Sequence, residues 1–295
     1  MTAMRARHLI ARVSSRPAED EETLSPDREG WPPARTLDAL AAEVVRDWDV
    51  ALGSRFSMAR FSFAAPAGPD AVLKLTPPED EEADHEGDAL AFWDGHGAVR
   101  LLKRDPARRA LLIERCIPGH DASAIDDVAA IAVALDVGRR LWRPVSAGPF
   151  KRAGDVIARS LHGLARVTGH PFVPVAARHL ASMAPRSEVL VHGDYHHHNL
   201  LRHGQRWLAI DPKPLIGEPE LDVVTLLWNP VGVTVTRELT ERRIRQLAAG
   251  GLDERRIRSW AIVRGTQLGL PLGPGEDEST SGQLKVAGWL LEERA

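Results

Sequence analysis

From Thr36 to Val50 the stretch TLDALAAEVVRDWDV places Leu37, Leu40, Ala41, Val44, Val45 and Trp48 at near-helical spacing. The period predicts an amphipathic helix with Thr36 as its N-cap. The pattern then shortens. Arg60–Ala65 (RFSFAA) and Ala71–Leu75 (AVLKL) are β-type runs flanking PAGPD, whose Pro and Gly predict a hairpin. Lys74 is thereby placed inside an apolar strand. In PPEDEEADHEGDALAFWDGHG, Pro77 and Pro78 stop the strand. An acidic first turn favoured by the helix dipole then leads into a body carrying Ala89, Leu90, Phe92 and Trp93. Leu101–Lys103 and Ala110–Glu114 predict a further strand pair around DPARR, and CIPG, Cys116–Gly119, predicts a turn.

Beyond that turn the period is mainly helical. DDVAAIAVALDVGRRLW and GDVIARSLHGLARV begin near Asp126 or Asp127 and near Asp155, and Glu238–Trp260 and Leu284–Leu291 continue the pattern. Two short strands interrupt it, Val189–His192 and Trp207–Ile210. The expected organisation is a 1–30 extension, a 31–116 β-rich lobe and a 117–295 mainly helical lobe, an α+β architecture. Trp93, Trp207 and Trp228 lie in apolar periodic segments and read as core. The arginine-rich ERRIRQ and DERRIRSW read as solvated helix faces.

Composition narrows the function classes. With 38 basic and 41 acidic residues and a formal charge of -3, the chain lacks the basic excess of a nucleic-acid-binding surface. No run of about 18 apolar residues occurs, so a membrane span is not expected. The one cysteine, Cys116, cannot form an internal disulfide and fits a reducing cytoplasm. The opening MTAMRARHLIARVSSRP is Arg-rich but is followed at once by EDEE, so it reads as an extension rather than a targeting segment.

The chemistry concentrates in VLVHGDYHHHNLL, Val189–Leu201. Asp194 and Asn199 stand in D-x-x-x-x-N spacing on a loop leaving a strand, as do the residues of a kinase catalytic loop that accept the hydroxyl proton and hold Mg²⁺. Asp211 follows in WLAIDP, where a second carboxylate could reach the same metal. Oxygen ligands of this kind suit Mg²⁺. Lys74 stands in the role of the strand lysine that binds the non-transferred phosphates, with Glu86 as its expected carboxylate partner and Glu82 in reserve on the same face. His196, His197 and His198 are consecutive, so their side chains diverge and make a poor tetrahedral zinc site. One of them is expected to pack or bond the loop and another to line the acceptor site, with His192 orienting the loop.

These segments together resemble the aminoglycoside/hydroxyurea antibiotic resistance kinases. The resemblance rests on AVLKL, HEGDALAFWDGHGAVRLL followed by ALLIERCIPG, VHGDYHHHNLL and AIDPKPLIGEPELDVVTLLWNP, in order. It implies a two-lobed protein-kinase-like fold with the active site in the cleft. It also implies ATP with Mg²⁺, and transfer of the γ-phosphoryl to a hydroxyl of a small antibiotic-like acceptor, an aminoglycoside such as streptomycin. Hydroxyurea, another small hydroxyl compound, and a nucleotide-binding protein without transfer are the alternatives. In the roles so implied, Asp194 is the base, Asn199 and Asp211 are metal ligands, Lys74 and Glu86 clamp the nucleotide, Glu114–Ile117 (with Cys116) form the hinge that meets adenine, and Asp222 braces the catalytic loop. A monomer or weak dimer is expected. LGSRFSMARF carries only Gly53 and no G-x-G-x-x-G, which leaves the phosphate cover to Ser54, Ser57 or nearby backbone N–H groups. Glu218, Glu220, Glu276, Asp277 and Glu278 are either steering groups for a cationic acceptor or ordinary surface carboxylates.

Overall fold

The computed structural model describes residues 36–57, 62–184, 186, 188–271 and 281–292. The 1–30 extension, the start of the first expected strand at Arg60, and Glu276, Asp277 and Glu278 lie outside the described residues. In chain order the strands are β1 (Phe63–Pro66), β2 (Ala71–Leu75), β3 (Leu101–Asp105), β4 (Ala110–Glu114), β5 (Pro118–Asp121), β6 (Arg143–Pro144), β7 (Lys151–Arg152), β8 (Val189–Val191), β9 (Leu200–His203), β10 (Arg206–Ala209) and β11 (Leu215–Gly217). The α-helices are α1 (Leu37–Trp48), α2 (Glu86–Trp93), α3 (Asp127–Leu141), α4 (Ala153–Val167), α5 (Phe172–Ser182), α6 (Pro219–Val223), α7 (Arg237–Ala249), α8 (Glu254–Gly269) and α9 (Gly282–Glu292).

The chain divides into two compact units. One contains Ala18–Asp121 with Leu200–Pro214, and the other contains Ala122–Asn199 with Leu215–Ala295. The division falls after Asp121 rather than after Cys116, because CIPG runs straight into β5, and β5 pairs with β9 in a sheet of order β10-β9-β5. The same pairing carries Leu200–Pro214 back into the first unit. There the hairpin end is clamped: Ala209 N–H donates to Gly97 and Val99 N–H donates to Ala209, at 2.7 and 3.1 Å.

In the first unit α1 starts where Thr36 Oγ1 accepts the Ala39 N–H at 3.2 Å. The helix ends at Asp49, which takes the left-handed conformation at φ 52°. Its buried Leu40, Ala41 and Val44 pack with Phe63, Ala65, Leu73 and Leu75 of an antiparallel sheet ordered β1-β2-β4-β3. In that sheet Lys74 is registered between Ala64 and Leu111.

The second unit is mainly helical around a small sheet ordered β6-β8-β11-β7. Asp126 caps α3, accepting from the N–H groups of Val128 and Ala129. The arginine-rich helices differ from the expected solvated faces: Arg243 of α7 and Arg256 of α8 are buried. Arg243 donates to Asp127 and to the carbonyls of Leu226 and Asn229, while Arg256 forms a two-pronged pair with Glu218. A guanidinium enters a core only when its donors are matched in this way. Trp93 and Trp228 are core as expected, whereas Trp207 is half-buried with the Arg202 guanidinium 5.7 Å from its ring centre.

Candidate functional site

Two groups of polar side chains stand out, one in each unit. In the first unit β2, an interior strand, presents Lys74 to α2, whose first residue is Glu86, 99% buried. Lys74 Nζ donates to both Glu86 oxygens at 2.7 Å and to Asp211 Oδ1 at 2.6 Å. All three donors of the ammonium are thereby used. Burial pulls the Lys74 pKa down, but Asp211 and Glu86 outweigh it and hold the ammonium above the ordinary lysine value. Glu82, the reserve partner, sits exposed on the 3₁₀ turn before α2.

Asp211 follows the clamped end of β10 and adopts φ 55°, a region Asp tolerates better than most residues. Its side chain is 40% exposed, so the carboxylate that holds Lys74 is also reachable by a cation. Two residues on, Lys213 Nζ donates to Asp80 Oδ2 at 2.8 Å and lies 3.9 Å from Asp211 Oδ1. Sequence reasoning missed both Lys213 and Asp80. Asp80 is one of several acids in PPEDEEADHE, and nothing in that run singles it out.

At the end of β4, Glu114 lies 3.5 Å from His203 Nε2, and His203 Nδ1 accepts the Ile117 N–H at 3.3 Å. The Ile117 carbonyl accepts from Gly204 at 2.8 Å. Ile117 therefore spends its backbone N–H and C=O on the β9–β10 turn, while the Glu114 N–H donates to the Arg100 carbonyl at 2.9 Å and the Arg115 N–H to the Asp70 carbonyl at 2.8 Å. Burial and then Glu114 push the Cys116 thiol up to about 12, so it is no nucleophile at neutral pH.

In the second unit β8 delivers the loop that carries Asp194. The loop is braced from beneath by Asp222, which accepts the N–H groups of His192 and Gly193 at 2.8 Å each and the Trp142 indole N–H at 2.9 Å. Gly193 has φ 82°, a conformation that suits glycine. The Asp194 N–H reaches His192 Nδ1 at 3.3 Å, so His192 does orient the loop. Tyr195, fully buried, donates to the Ala134 carbonyl at 2.6 Å and pins the loop to α3. The Asn199 amide NH₂ donates to the Asp194 backbone oxygen at 2.9 Å and to its Oδ2 at 3.3 Å. Its side-chain carbonyl is then the group a cation can use. The Asp194 side chain is 39% exposed.

The adjacent histidines have different surroundings. His196 Nε2 lies 3.5 Å from Asp194 Oδ2. His197 is buried, and neither of its ring nitrogens has a hydrogen-bond partner among the described residues. Among the described residues no group of three or more His, Cys, Asp or Glu side chains could hold a metal ion. Burial, then Arg243 opposed by Asp127, with His196 and His198 adding to the lowering, brings the His197 pKa down to about 4. In the range between about 4 and the ordinary value of 6.5, the unfolded chain binds a proton here that the folded chain refuses. Stability associated with neutral His197 is therefore full above pH 6.5 and is lost as pH falls toward 4. Thermal unfolding of His197→Phe should show a flatter fall in Tm between pH 7.5 and 5 than the wild type; an identical fall would place the acid sensitivity elsewhere.

Residues 47–270 match the family described as aminoglycoside/hydroxyurea antibiotic resistance kinase. The chain belongs to this family. Among curated relatives, it is 35% identical over 213 residues to a hydroxyurea phosphotransferase from Kitasatospora aureofaciens, covering 68% of this chain. That match spans 61% of the relative's own length. It is 31% identical over 247 residues to a streptomycin 6-kinase from Streptomyces glaucescens, covering 77% of this chain and 80% of the relative. Among solved structures, the streptomycin-ATP-APH(2″)-IIa ternary complex superposes with a TM-score of 0.55 at 14% identity, covering 86% of this chain and 95% of that one. The fold of this family member is thus the mixed α+β, protein-kinase-like fold expected from its motifs.

Proposed function

We propose that the chain is an ATP-dependent O-phosphotransferase that moves the γ-phosphoryl group of ATP to a hydroxyl of a small antibiotic-like acceptor, an aminoglycoside such as streptomycin. The observation that carries the reading is the Lys74–Glu86–Asp211 cluster, in which a strand lysine is fixed by a helix carboxylate and held against a second, partly exposed carboxylate. The matched relatives include a streptomycin 6-kinase, and the superposed structure is a complex with streptomycin and ATP.

In this reading Asp194 accepts the proton of the attacking hydroxyl, an O–P bond forms to the γ-phosphorus, the bond from that phosphorus to the β–γ bridging oxygen breaks, and ADP leaves. Asn199 in one unit and Asp211 in the other are each proposed to offer an oxygen to Mg²⁺, which when bound would neutralise phosphate charge. Lys74 contributes its positive charge beside the non-transferred phosphates while Glu86 and Asp211 occupy its N–H groups. Glu114–Ile117 is the segment for adenine.

A second acceptor class, hydroxyurea, is favoured by one observation besides the 35% identical relative. Glu218 is buried in its pair with Arg256 and Glu220 accepts the Asp253 N–H at 3.0 Å, so neither is a ready partner for a polycation. An ADP-release assay with streptomycin, other aminoglycosides and hydroxyurea decides between them. Acceptor-stimulated release is expected with one class and should vanish when EDTA removes the divalent ion, returning on addition of Mg²⁺. Release that no acceptor stimulates, or that survives EDTA, would overturn the reading.

A further inference from the structure

Lys74 has no donor to spare: its three N–H groups are spent on Glu86 and Asp211. A triphosphate brings several negative charges, and the chain offers no G-x-G-x-x-G loop of backbone donors to meet them. Lys213 supplies a second ammonium at the same place. It is flanked by Pro212 and Pro214, which restrict its backbone, and it stays 18% exposed while Asp80 holds it.

The Asp80 arrangement is unlike a pair kept for stability alone. Asp80 is 93% buried, yet only Oδ2 meets Lys213, and the buried Oδ1 has no hydrogen-bond partner among the described residues. Leaving such an oxygen unmatched costs about 1–3 kcal/mol, and a purely structural pair would be expected to match both. Asp80 itself is fixed from behind, because its carbonyl accepts from Arg109 at 2.7 Å and Arg109 also holds Asp84 at 2.5 Å. The result is a tether with one hydrogen bond, holding a cation 3.9 Å from the carboxylate proposed to bind the metal.

We infer that Lys213 is a second nucleotide-binding cation, kept by Asp80 beside Asp211 and transferred to the phosphate chain when ATP and metal bind. The inference rests on the phosphotransferase reading above. It has a second consequence. A fixed ammonium next to Asp211 opposes a divalent ion by like charge until phosphates arrive, so Lys213 makes metal occupancy depend on nucleotide. It is a positioning and charge-neutralising residue, and the proton transfer stays with Asp194.

Calorimetric titration of the full chain with MgATP, together with electron paramagnetic resonance titration of the nucleotide-free protein with Mn²⁺, tests it. Lys213→Met should weaken MgATP binding about ten-fold or more, the scale of a lost charged hydrogen bond, and should tighten Mn²⁺ binding in the absence of nucleotide. Lys213→Arg should stay within a few-fold of wild type. Because Lys213→Met leaves Asp80 buried and uncompensated, the double variant Asp80→Asn with Lys213→Met serves as the folded reference. If the pair were only structural, the double variant would bind MgATP as the wild type does, and the inference would be overturned; a persistent deficit supports it. Unchanged Mn²⁺ affinity in both variants overturns the coupling. A wild type that binds no MgATP would instead remove the phosphotransferase reading itself, and this inference with it.

Discussion

Asp194→Asn should lower kcat by roughly 10²- to 10⁴-fold, the usual size of a general-base effect, with little change in Tm. The substitution keeps the shape of the side chain and removes only its basicity. The carboxylate itself meets the Asn199 amide at 3.3 Å and His196 at 3.5 Å, while the loop is held chiefly by Asp222 through the N–H groups of His192 and Gly193 and by Tyr195 through Ala134. The bond from Asn199 to the Asp194 backbone oxygen also survives. Steady-state ADP release with a saturating acceptor measures the first quantity and thermal unfolding the second. A variant that turns over at the wild-type rate would take the base role away from Asp194. A variant that loses its fold would show that the carboxylate stabilises the loop.

The largest stability effect belongs to a residue outside the chemistry. Arg243→Met should cost about 3–5 kcal/mol, the range for breaking one side of a buried ion pair, and lower Tm by roughly 10 °C for a chain of this size. The guanidinium is 99% buried and ties α7 to the start of α3 through Asp127 and to the carbonyls of Leu226 and Asn229, at 2.5 and 2.6 Å. Methionine fills much of the volume but leaves the two carbonyls without this donor and Asp127 with Arg242, which donates to its Oδ2 at 2.9 Å. Arg245→Met, exposed on the same helix, should change stability by no more than about 0.5 kcal/mol. Equal Tm values for the two variants, measured by calorimetry at pH 7.5, would show that burial of Arg243 contributes little.

Those two arginines show where sequence reasoning reaches its limit. Arg243 and Arg245 sit two positions apart in ERRIRQ, and a charge run carries no mark of which member turns inward. Packing decides it, here through Asp127, which lies 116 residues away. By contrast, Lys74 is legible as a polar residue inside an apolar strand, and Glu86 as a carboxylate on the next helix that could pair with it. Asp194 and Asn199 were legible from spacing on one short loop. The strand expected at Trp207–Ile210 corresponds to β10, whereas β9 was not expected, and the place of this hairpin in the first unit depends on pairing of β9 with β5. Lys213 and Asp80 are joined by a contact across 133 residues, beyond any local pattern.

The protonated thiol of Cys116 has a practical consequence. With one cysteine in 295 residues and that thiol's pKa pushed up to about 12, the protein is close to a cysteine-free background for maleimide chemistry at neutral pH. A cysteine introduced at exposed Ser57, near the segment expected to cover the phosphates, would be the preferred target of a fluorophore or spin label. Nucleotide-dependent changes at that loop could then be followed without first deleting a native side chain.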